Sequence, residues 1–401
     1  MNAFYASCHQ AKDPSLKGKP LLVAGNPKKR SGIILTASYE ARKFGVKTAM
    51  VNWQAKKLCP QGIFIKPDYD LYITTSHKVM EIIRRFSPVV EVFSIDEAWL
   101  DVRGCERLFG DAVSIAKQIQ KTIAQELDLP CSIGVSCNKL LSKMASDLEK
   151  PRGLTVIAKE DVATKLWHLP VGEIFGVGKR MAARLDRMNV KTIGDLARLP
   201  VNLLEQSFGL NGRYLHLWAN GIDDSPVDPH SNDEAKSMGH STTLAKDITS
   251  FEDAQKVLLS LSEQVGRRIR RENYMGRTVT ITLRDASFNT ITRSKTISYT
   301  SSTEDIYFTA IGLLHGNWDG HTPLRLLGVS LSHLSKGVNQ LSIFEEDDKK
   351  KKLNKVMDEI KDRFGDGAIF RAGILDDDGL NDRKLGKSKN NSPTWRLKGT
   401  L

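Results

Sequence analysis

The chain has 401 residues, 40% of them hydrophobic, a formal net charge of +12 and a pI near 9.3. That length exceeds one ordinary hydrophobic core and predicts about two to four domains, while the basic balance points to a polyanionic partner, nucleic acid before membrane. A membrane protein and a secreted one are both excluded as expectations, since no run approaches the ~20 apolar residues of a span and no basic-then-apolar leader opens the chain.

Met1 to Ala6 reads as the end of a strand. From Cys8 to about Lys66 the chain is basic and broken by turns at Asp13-Pro14, Gly18 and Gly25-Asn26-Pro27, with one helical stretch over Ala37 to Phe44 closed by Gly45. A helix over Tyr72 to Phe86 stops before Pro88. Val89 to Phe93 and Ala98 to Val102 are short, apolar, β-favouring runs, so the residues between them read as a hairpin with Asp96 and Glu97 at or near its tip. Ionised carboxylates in such surroundings need a positive partner. Mg²⁺ is one, since it is held by one or two carboxylates plus substrate phosphates. Taken alone, the same pair reads more readily as a solvated turn, since Asp is a common turn residue.

Next comes a helix from about Asp111 to Leu127, with Ile115, Ile119 and Ile123 as a buried stripe. Ser132 to Ser136 is a short buried strand. The following helix carries Leu140, Leu141, Met144, Ala145 and Leu148 on one face and ends at Lys150-Pro151-Arg152-Gly153. Strands and helices alternate here, which predicts a mixed α/β domain. From about Ala158 to Asp228 the pattern is helical. Within it, Leu169 to Arg180 has the form of a helix, a tight Gly176-Val177-Gly178 hairpin and a second helix with Met181, Leu185 and Met188 on one face. Thr192 to Asp195 has capping-box spacing.

Asn220 to Ser237 reads as a linker. Met238 to Leu334 forms a small basic α+β region: Thr278 to Arg284 alternates strictly, as does part of Asn289 to Tyr299, with Thr, Ser, Arg and Lys on the outer face. A helix over Glu252 to Arg271 ends in Arg267, Arg268, Arg270 and Arg271. The tail holds Gln340-Leu341-Ser342-Ile343-Phe344 and an amphipathic helix from Leu353 to Phe364. From Asp376 onward it is polar, basic and expected to be disordered. Five cysteines (Cys8, Cys59, Cys105, Cys131, Cys137) without a CxxC pair, and nine histidines without ligand spacing, argue against a disulfide framework or a zinc site. They predict a reduced, cytosolic setting.

Several pieces suit phosphate chemistry. Tyr39 and Arg42 sit three apart on a helix and share a face, offering a hydroxyl and a forked guanidinium to phosphate oxygens; a plain solvated helix face is the competing reading. Lys150, at a helix end before a tight turn, can reach into a cleft or simply satisfy the helix dipole. The Gly176-Val177-Gly178 turn, with Lys179 after it, exposes backbone N–H groups at a helix start, a seat for a nucleic-acid phosphate.

Jointly these residues carry a resemblance. Met1-Asn2-Ala3-Phe4-Tyr5-Ala6, Ala37-Ser38-Tyr39-Glu40-Ala41-Arg42, Ser94-Ile95-Asp96-Glu97-Ala98, Ser132 to Lys139, Glu149 to Gly153 and the helix-hairpin-helix around Gly176 occur in the order and spacing of the Y-family DNA polymerases, most closely the bacterial DNA polymerase IV type. The chain resembles that family over residues 1 to about 335. The resemblance implies an α/β multidomain fold: a palm with a mixed sheet and small fingers (1–157, fingers about 7–66), a helical helix-hairpin-helix thumb (158–228), a linker (229–237), an α+β little finger (238–335) and a tail (336–401).

It further implies template-directed, error-prone joining of dNTPs to a primer 3′-hydroxyl, with two Mg²⁺ ions stabilising the attacking and leaving oxygens. Asp96 would be a metal ligand and Glu97 the acidic catalytic residue beside it. Tyr5 would be the gate that excludes a 2′-hydroxyl by filling space, with Phe4, Tyr39, Arg42 and Lys150 around the nucleotide and Gly176, Gly178 and Lys179 on DNA. Gln340, Leu341 and Phe344 look like anchors of a peptide that binds the bacterial sliding clamp. Primer-template DNA, dNTPs and the clamp are the implied partners of a monomer working in the bacterial cytosol, at the nucleoid during repair.

One departure stands out. The family places an aspartate, a metal ligand, immediately before the position of Met1, leaving Met1 to offer its backbone carbonyl. Either the coding start lies further upstream, which is the favoured expectation, or the chain is a catalytically impaired DNA-binding accessory. A helix-hairpin-helix repair nuclease or glycosylase is the third reading; Tyr5 and the Tyr39/Arg42 pair oppose it, because a nuclease needs neither a sugar gate nor a triphosphate clamp.

Overall fold

The computed structural model describes residues 1–26, 32–336 and 345–374. Gln340, Leu341 and Phe344, and the polar end beyond 374, lie outside the described residues. The chain divides into two compact units, one holding Met1–Gly25 and Ile33–Asn232, the other built from Asp233 onward.

The first unit opens with helix α1 (Phe4–Lys12) directly after Ala3, whose φ of 45° is left-handed. This corrects the strand expected over Met1 to Ala6. Asn2 donates its N–H to the Pro130 carbonyl at 3.0 Å, and the turn at Ala3 then sends Phe4, Ala6 and Cys8 into the core beside Tyr72 and Val79. Packing overrides the β preference of Phe4-Tyr5. Strands β1 (Leu21–Ala24) and β2 (Ile34–Ala37) follow, then α2 (Tyr39–Arg42), α3 (Asn52–Leu58) and β3 (Ile63–Ile65). They form a sheet ordered β2-β1-β3, antiparallel at β1/β2 and parallel at β1/β3. The helix expected over Ala37 to Phe44 is shorter: Ala37 closes β2, and Ser38 caps α2 by accepting from the Ala41 N–H.

Helix α4 (Tyr69–Arg84) leads to the hairpin of β4 (Val89–Val92) and β5 (Ala98–Asp101), in register from Val89↔Asp101 to Val92↔Ala98. After the short α5 (Glu106–Phe109), α6 (Ala112–Leu127) buries Ile115, Ile119 and Ile123 as the spacing predicts. Strand β6 (Ile133–Ser136), helix α7 (Lys139–Leu148) and β7 (Leu154–Ile157) make a parallel β–α–β unit. β6 was expected to be buried and is half-buried throughout. Gly134 sets its contact with α7: a Cβ there would stand 2.0 Å from the Ser142 carbonyl oxygen, so only glycine lets the helix lie this close.

The rest of the unit is helical: α8 (Lys179–Arg187), α9 (Ile193–Arg198), α10 (Val201–Phe208) and α11 (Leu210–Ala219). The first limb of the expected helix-hairpin-helix is one 3₁₀ turn, Val171–Glu173, because Pro170 and Gly172 disfavour a longer helix. Leu185 carries the buried face of α8, whereas Met188 falls beyond its last turn and is exposed. Thr192 and Asp195 form the expected capping box. The segment expected as a linker is fastened down. Asn138 donates to the Gly221 carbonyl at 2.8 Å, Leu140 N–H to Asp223 at 3.1 Å, Asp228 N–H to Glu91 at 2.8 Å, and Asn232 to the Val92 carbonyl.

In the second unit the elements run β8 (Ser237–Ile248), α12 (Phe251–Arg271), β9 (Tyr274–Asp285), β10 (Thr290–Thr300), α13 (Thr303–His315) and β11 (Leu324–Ser332), and the strands form an antiparallel sheet ordered β10-β9-β11-β8, with β12 (Ser335–Lys336) on β9. Val279, Ile281 and Leu283 point into the core with Leu258, Val265 and Ile306, while Thr278, Thr280 and Arg284 hydrogen-bond Thr296, Ser294 and Thr290 across the outer face. Helix α14 (Glu345–Phe364) changes the meaning of the arginine run on α12. Arg267 pairs with Asp362 at 2.7 Å and with Asp366, Arg270 binds Asp358 through two nitrogens, and buried Glu263 pairs with Lys361 at 2.6 Å. Two of the four arginines that end α12 are therefore neutralised inside the unit.

Candidate active site

The first unit holds a cleft of about 310 Å³, within the size range of ligand sites, lined by Met1, Phe4, Tyr5, Thr36, Tyr39, Arg42, Asp96, Glu97 and Lys150 among others. Four elements converge there: the start of α1, the β2–α2 corner, the β4–β5 hairpin tip and the turn after α7. The hairpin tip is held by a set of hydrogen bonds. Phe93 and Ser94 N–H groups donate to the Glu97 carbonyl at 3.0 and 3.1 Å, Ser94 Oγ donates to Asp96 Oδ1 at 3.0 Å, and Ser76 on α4 holds the Ile95 carbonyl at 2.5 Å. The Met1 nitrogen donates to the Asp96 carbonyl at 2.7 Å and stands 4.0 Å from Asp96 Oδ2.

Glu97 is not free. Lys143 of α7 meets its Oε1 at 2.5 Å and also reaches Asp147 at 3.3 Å, and Asp147 in turn pairs with Lys150. Burial alone would lower the Lys143 pKa, but the two carboxylates outweigh it and hold the ammonium above the ordinary lysine value. Neither Lys143 nor Asp147 stood out in the sequence as a site residue. Their signal was the spacing Lys139, Lys143, Asp147 and Lys150, which places the first three on one helix face.

Tyr5 stacks on Tyr72 with ring centroids 4.1 Å apart and 14° between planes, and meets Tyr69 edge-on at 6.4 Å. Burial first, then the neighbouring Tyr69 and Asp96, raise its pKa, so it stays a neutral phenol with one face to the cleft. Phe4 is only 4% exposed and serves mainly as core behind it. On α2 the Arg42 guanidinium lies 4.9 Å over the Tyr39 ring and donates through Nε to the Ala37 carbonyl at 3.0 Å. The Tyr39 hydroxyl is buried without a hydrogen-bond partner among the described residues. Such an orphan is costly unless an acceptor arrives.

Among the described residues no group of three His, Cys, Asp or Glu side chains could hold a metal ion. Asp96 and Glu97 offer hard oxygens, and burial pushes the Cys8 thiol up to about 12, so it supplies no thiolate. Two carboxylates beside an arginine, a lysine and a tyrosine hydroxyl suit an ion that completes its shell with ligand oxygens and water, not a closed structural site. Gly176, Gly178 and Lys179 are not among the residues lining this cleft. Gly176 has φ +93°, a conformation that favours glycine, and Gly178 caps α8 with open space where a side chain would stand. No helix among the described residues is long and apolar enough to cross a membrane.

Much of the chain matches known proteins. Residues 1–147 match the impB/mucB/samB family, residues 235–343 its C-terminal domain, and residues 172–223 a DNA polymerase-iota thumb domain. The chain is 48% identical to a DNA polymerase IV of Pelotomaculum thermopropionicum, covering 97% of both chains. It is 47% identical to one of Moorella thermoacetica, over 93% of this chain and 94% of that one. Among solved structures it resembles a Y-family DNA polymerase chimera at TM-score 0.74 and 28% identity, covering 84% of this chain and 97% of that one. With relatives this similar over nearly its whole length, the chain belongs to the Y family of DNA polymerases, DNA-directed enzymes of translesion synthesis.

Proposed function

We propose that the cleft joins dNTPs to a primer 3′-hydroxyl with the help of two Mg²⁺ ions held by Asp96, Glu97 and the Met1 carbonyl. The observation that carries this reading is that the carboxylates, the Tyr5 ring and Tyr39, Arg42 and Lys150 line one cleft. When bound, the ions neutralise charge on the attacking and leaving oxygens. The chain's own groups do the rest. Tyr39 gives its unpartnered hydroxyl, and Arg42 and Lys150 their N–H groups, to the triphosphate. Tyr5, backed by Tyr72 and Phe4, presses against the sugar and leaves no room for a 2′-hydroxyl. Gly176, Gly178 and Lys179 seat a DNA phosphate at the start of α8. Residues 1–157, 158–228, 229–237 and 238–335 serve as palm with fingers, thumb, linker and little finger.

Asp96→Asn and Glu97→Gln test this. Removing one carboxylate that offsets metal charge is expected to lower Mg²⁺-dependent primer extension by about 10³-fold, a loss of several kcal/mol of transition-state stabilisation. Primer-template affinity should change by less than about twofold, because phosphate contacts by Lys and Arg supply it. Unchanged extension in either variant would overturn the assignment. DNA binding without extension by the unaltered chain would favour the accessory reading instead.

A further inference from the structure

We infer that Glu97, Lys143, Asp147 and Lys150 form a charge relay through which triphosphate binding releases Glu97 for its metal; this rests on the roles just proposed for Glu97 and Lys150. The four side chains alternate in sign and each inner member is shared. Lys143 divides itself between Glu97 at 2.5 Å and Asp147 at 3.3 Å, and Asp147 divides itself between Lys143 and Lys150. Lys143 and Asp147 stand four apart on α7, and Lys150 lies just beyond its end, so the chain of pairs runs along one helix edge from the hairpin tip to the cleft wall.

Burial decides which member must keep a partner. The Lys143 side chain is 14% exposed, against 47% for Asp147. Its ammonium cannot fall back on water, so it needs one carboxylate or the other. With the cleft empty, Lys150 occupies Asp147 and Lys143 turns mainly to Glu97, which keeps two adjacent carboxylates from facing each other unbalanced. A triphosphate draws Lys150 away. Asp147 then has a single cation left, Lys143 shifts along its edge toward it, and Glu97 is uncovered at the moment the nucleotide needs a metal. Coupling of this kind is reciprocal: whatever uncovers Glu97 also frees Lys150.

Lys143 and Asp147 are therefore positioning residues, and binding measurements on the full chain with primer-template test them. Metal-free dNTP affinity is measured in EDTA, and Mn²⁺ affinity without nucleotide is read by electron paramagnetic resonance. Asp147→Asn frees Lys150 and leaves Lys143 wholly to Glu97. It is expected to tighten metal-free dNTP binding about three- to tenfold and to weaken Mn²⁺ binding by a similar factor. The decisive step is the double-mutant cycle. In a Lys150→Met background Asp147→Asn should no longer affect dNTP, and in a Lys143→Met background it should no longer affect Mn²⁺. Asp147→Glu should restore both affinities. Equal effects in every background would mean an additive surface field and would overturn the relay alone. If the unaltered chain binds Mn²⁺ no better than Asp96→Asn, and dNTP no better than Lys150→Met, the parent reading falls and the relay with it.

Discussion

The buried Glu91–Lys139 pair sets where the acidic hairpin sits, and breaking it should be among the most damaging single changes outside the cleft. Glu91 on β4 meets Lys139 at the start of α7 at 2.6 and 2.8 Å, with the two side chains 10% and 15% exposed. Glu91 also accepts the Asp228 N–H at 2.8 Å, while Lys139 lies 4.6 Å over the Trp99 ring and reaches the Pro226 carbonyl at 3.2 Å. Glu91→Ala leaves an ammonium in a nearly dry site and orphans a backbone donor. Removing one partner of a buried pair costs about 3–5 kcal/mol. The remaining carbonyl and ring put Lys139 near the lower end, about 3 kcal/mol.

Glu91→Gln keeps an acceptor for Asp228 and should cost less, about 1–2 kcal/mol. Glu91→Leu with Lys139→Met removes both charges and should recover most of the loss, since apolar replacement of a buried pair is often close to neutral. Urea unfolding of the full chain measures the stability, and hydrogen exchange over residues 223–232 reports whether the segment leaving the helical region comes loose. The reasoning fails if Glu91→Ala costs under about 0.5 kcal/mol, the range of an exposed pair, or if the double variant is no more stable than the single one.

Three further outcomes are expected. Tyr5→Ala should raise ribonucleotide incorporation relative to deoxynucleotide in single-nucleotide insertion, because the proposed gate, a ring stacked on Tyr72, would act by occupying space; an unmoved ratio places the gate elsewhere, with Phe4 the nearest ring. Changing Gln340, Leu341 and Phe344 together to Ala should abolish stimulation by the sliding clamp on long templates while single-nucleotide insertion persists, since a few anchors carry most of such a docking energy; unchanged clamp affinity in a titration would show the contact lies elsewhere. Lys361→Met should destabilise the second unit by about 3 kcal/mol, because it strands Glu263, which is buried on α12; a urea midpoint equal to that of the unaltered chain would show that the pair holds nothing together.

Local pattern made much of this molecule readable. The Ile115, Ile119 and Ile123 stripe marked α6, the capping box at Thr192 marked α9, and the two apolar runs around Asp96 and Glu97 marked the β4–β5 hairpin. These features depend on neighbours a few residues apart, and period and capping report such neighbours directly. Phe4 and Tyr5 were misread because their β preference is local, whereas their burial against Tyr72, far along the chain, decides their conformation. The pairing of Arg267 and Arg270 was hidden for the same reason. Nothing near them in sequence announces that Asp358, Asp362 and Asp366, spaced four apart on and just past another helix, will fold back and neutralise them.

The cleft shows the same division between local and distant causes. Asp96 and Glu97 were visible because they are adjacent, and Tyr39 and Arg42 because they share one turn. What turns two carboxylates into a controlled site is their register against α7, and three remote features fix it. Gly134 lets the helix lie against β6, Glu91–Lys139 pins its first turn to the hairpin, and Glu97–Lys143 pins its second. The rungs are one helical turn apart, so a shift of α7 that opened one would strain the other. The hairpin therefore cannot reposition Glu97 by rigid movement without unmaking the buried Glu91 pair. Exchange of partners at Lys143, which moves only side chains, is the lower-cost way for this site to change state, and that is why the relay runs along the edge of α7 instead of through its backbone.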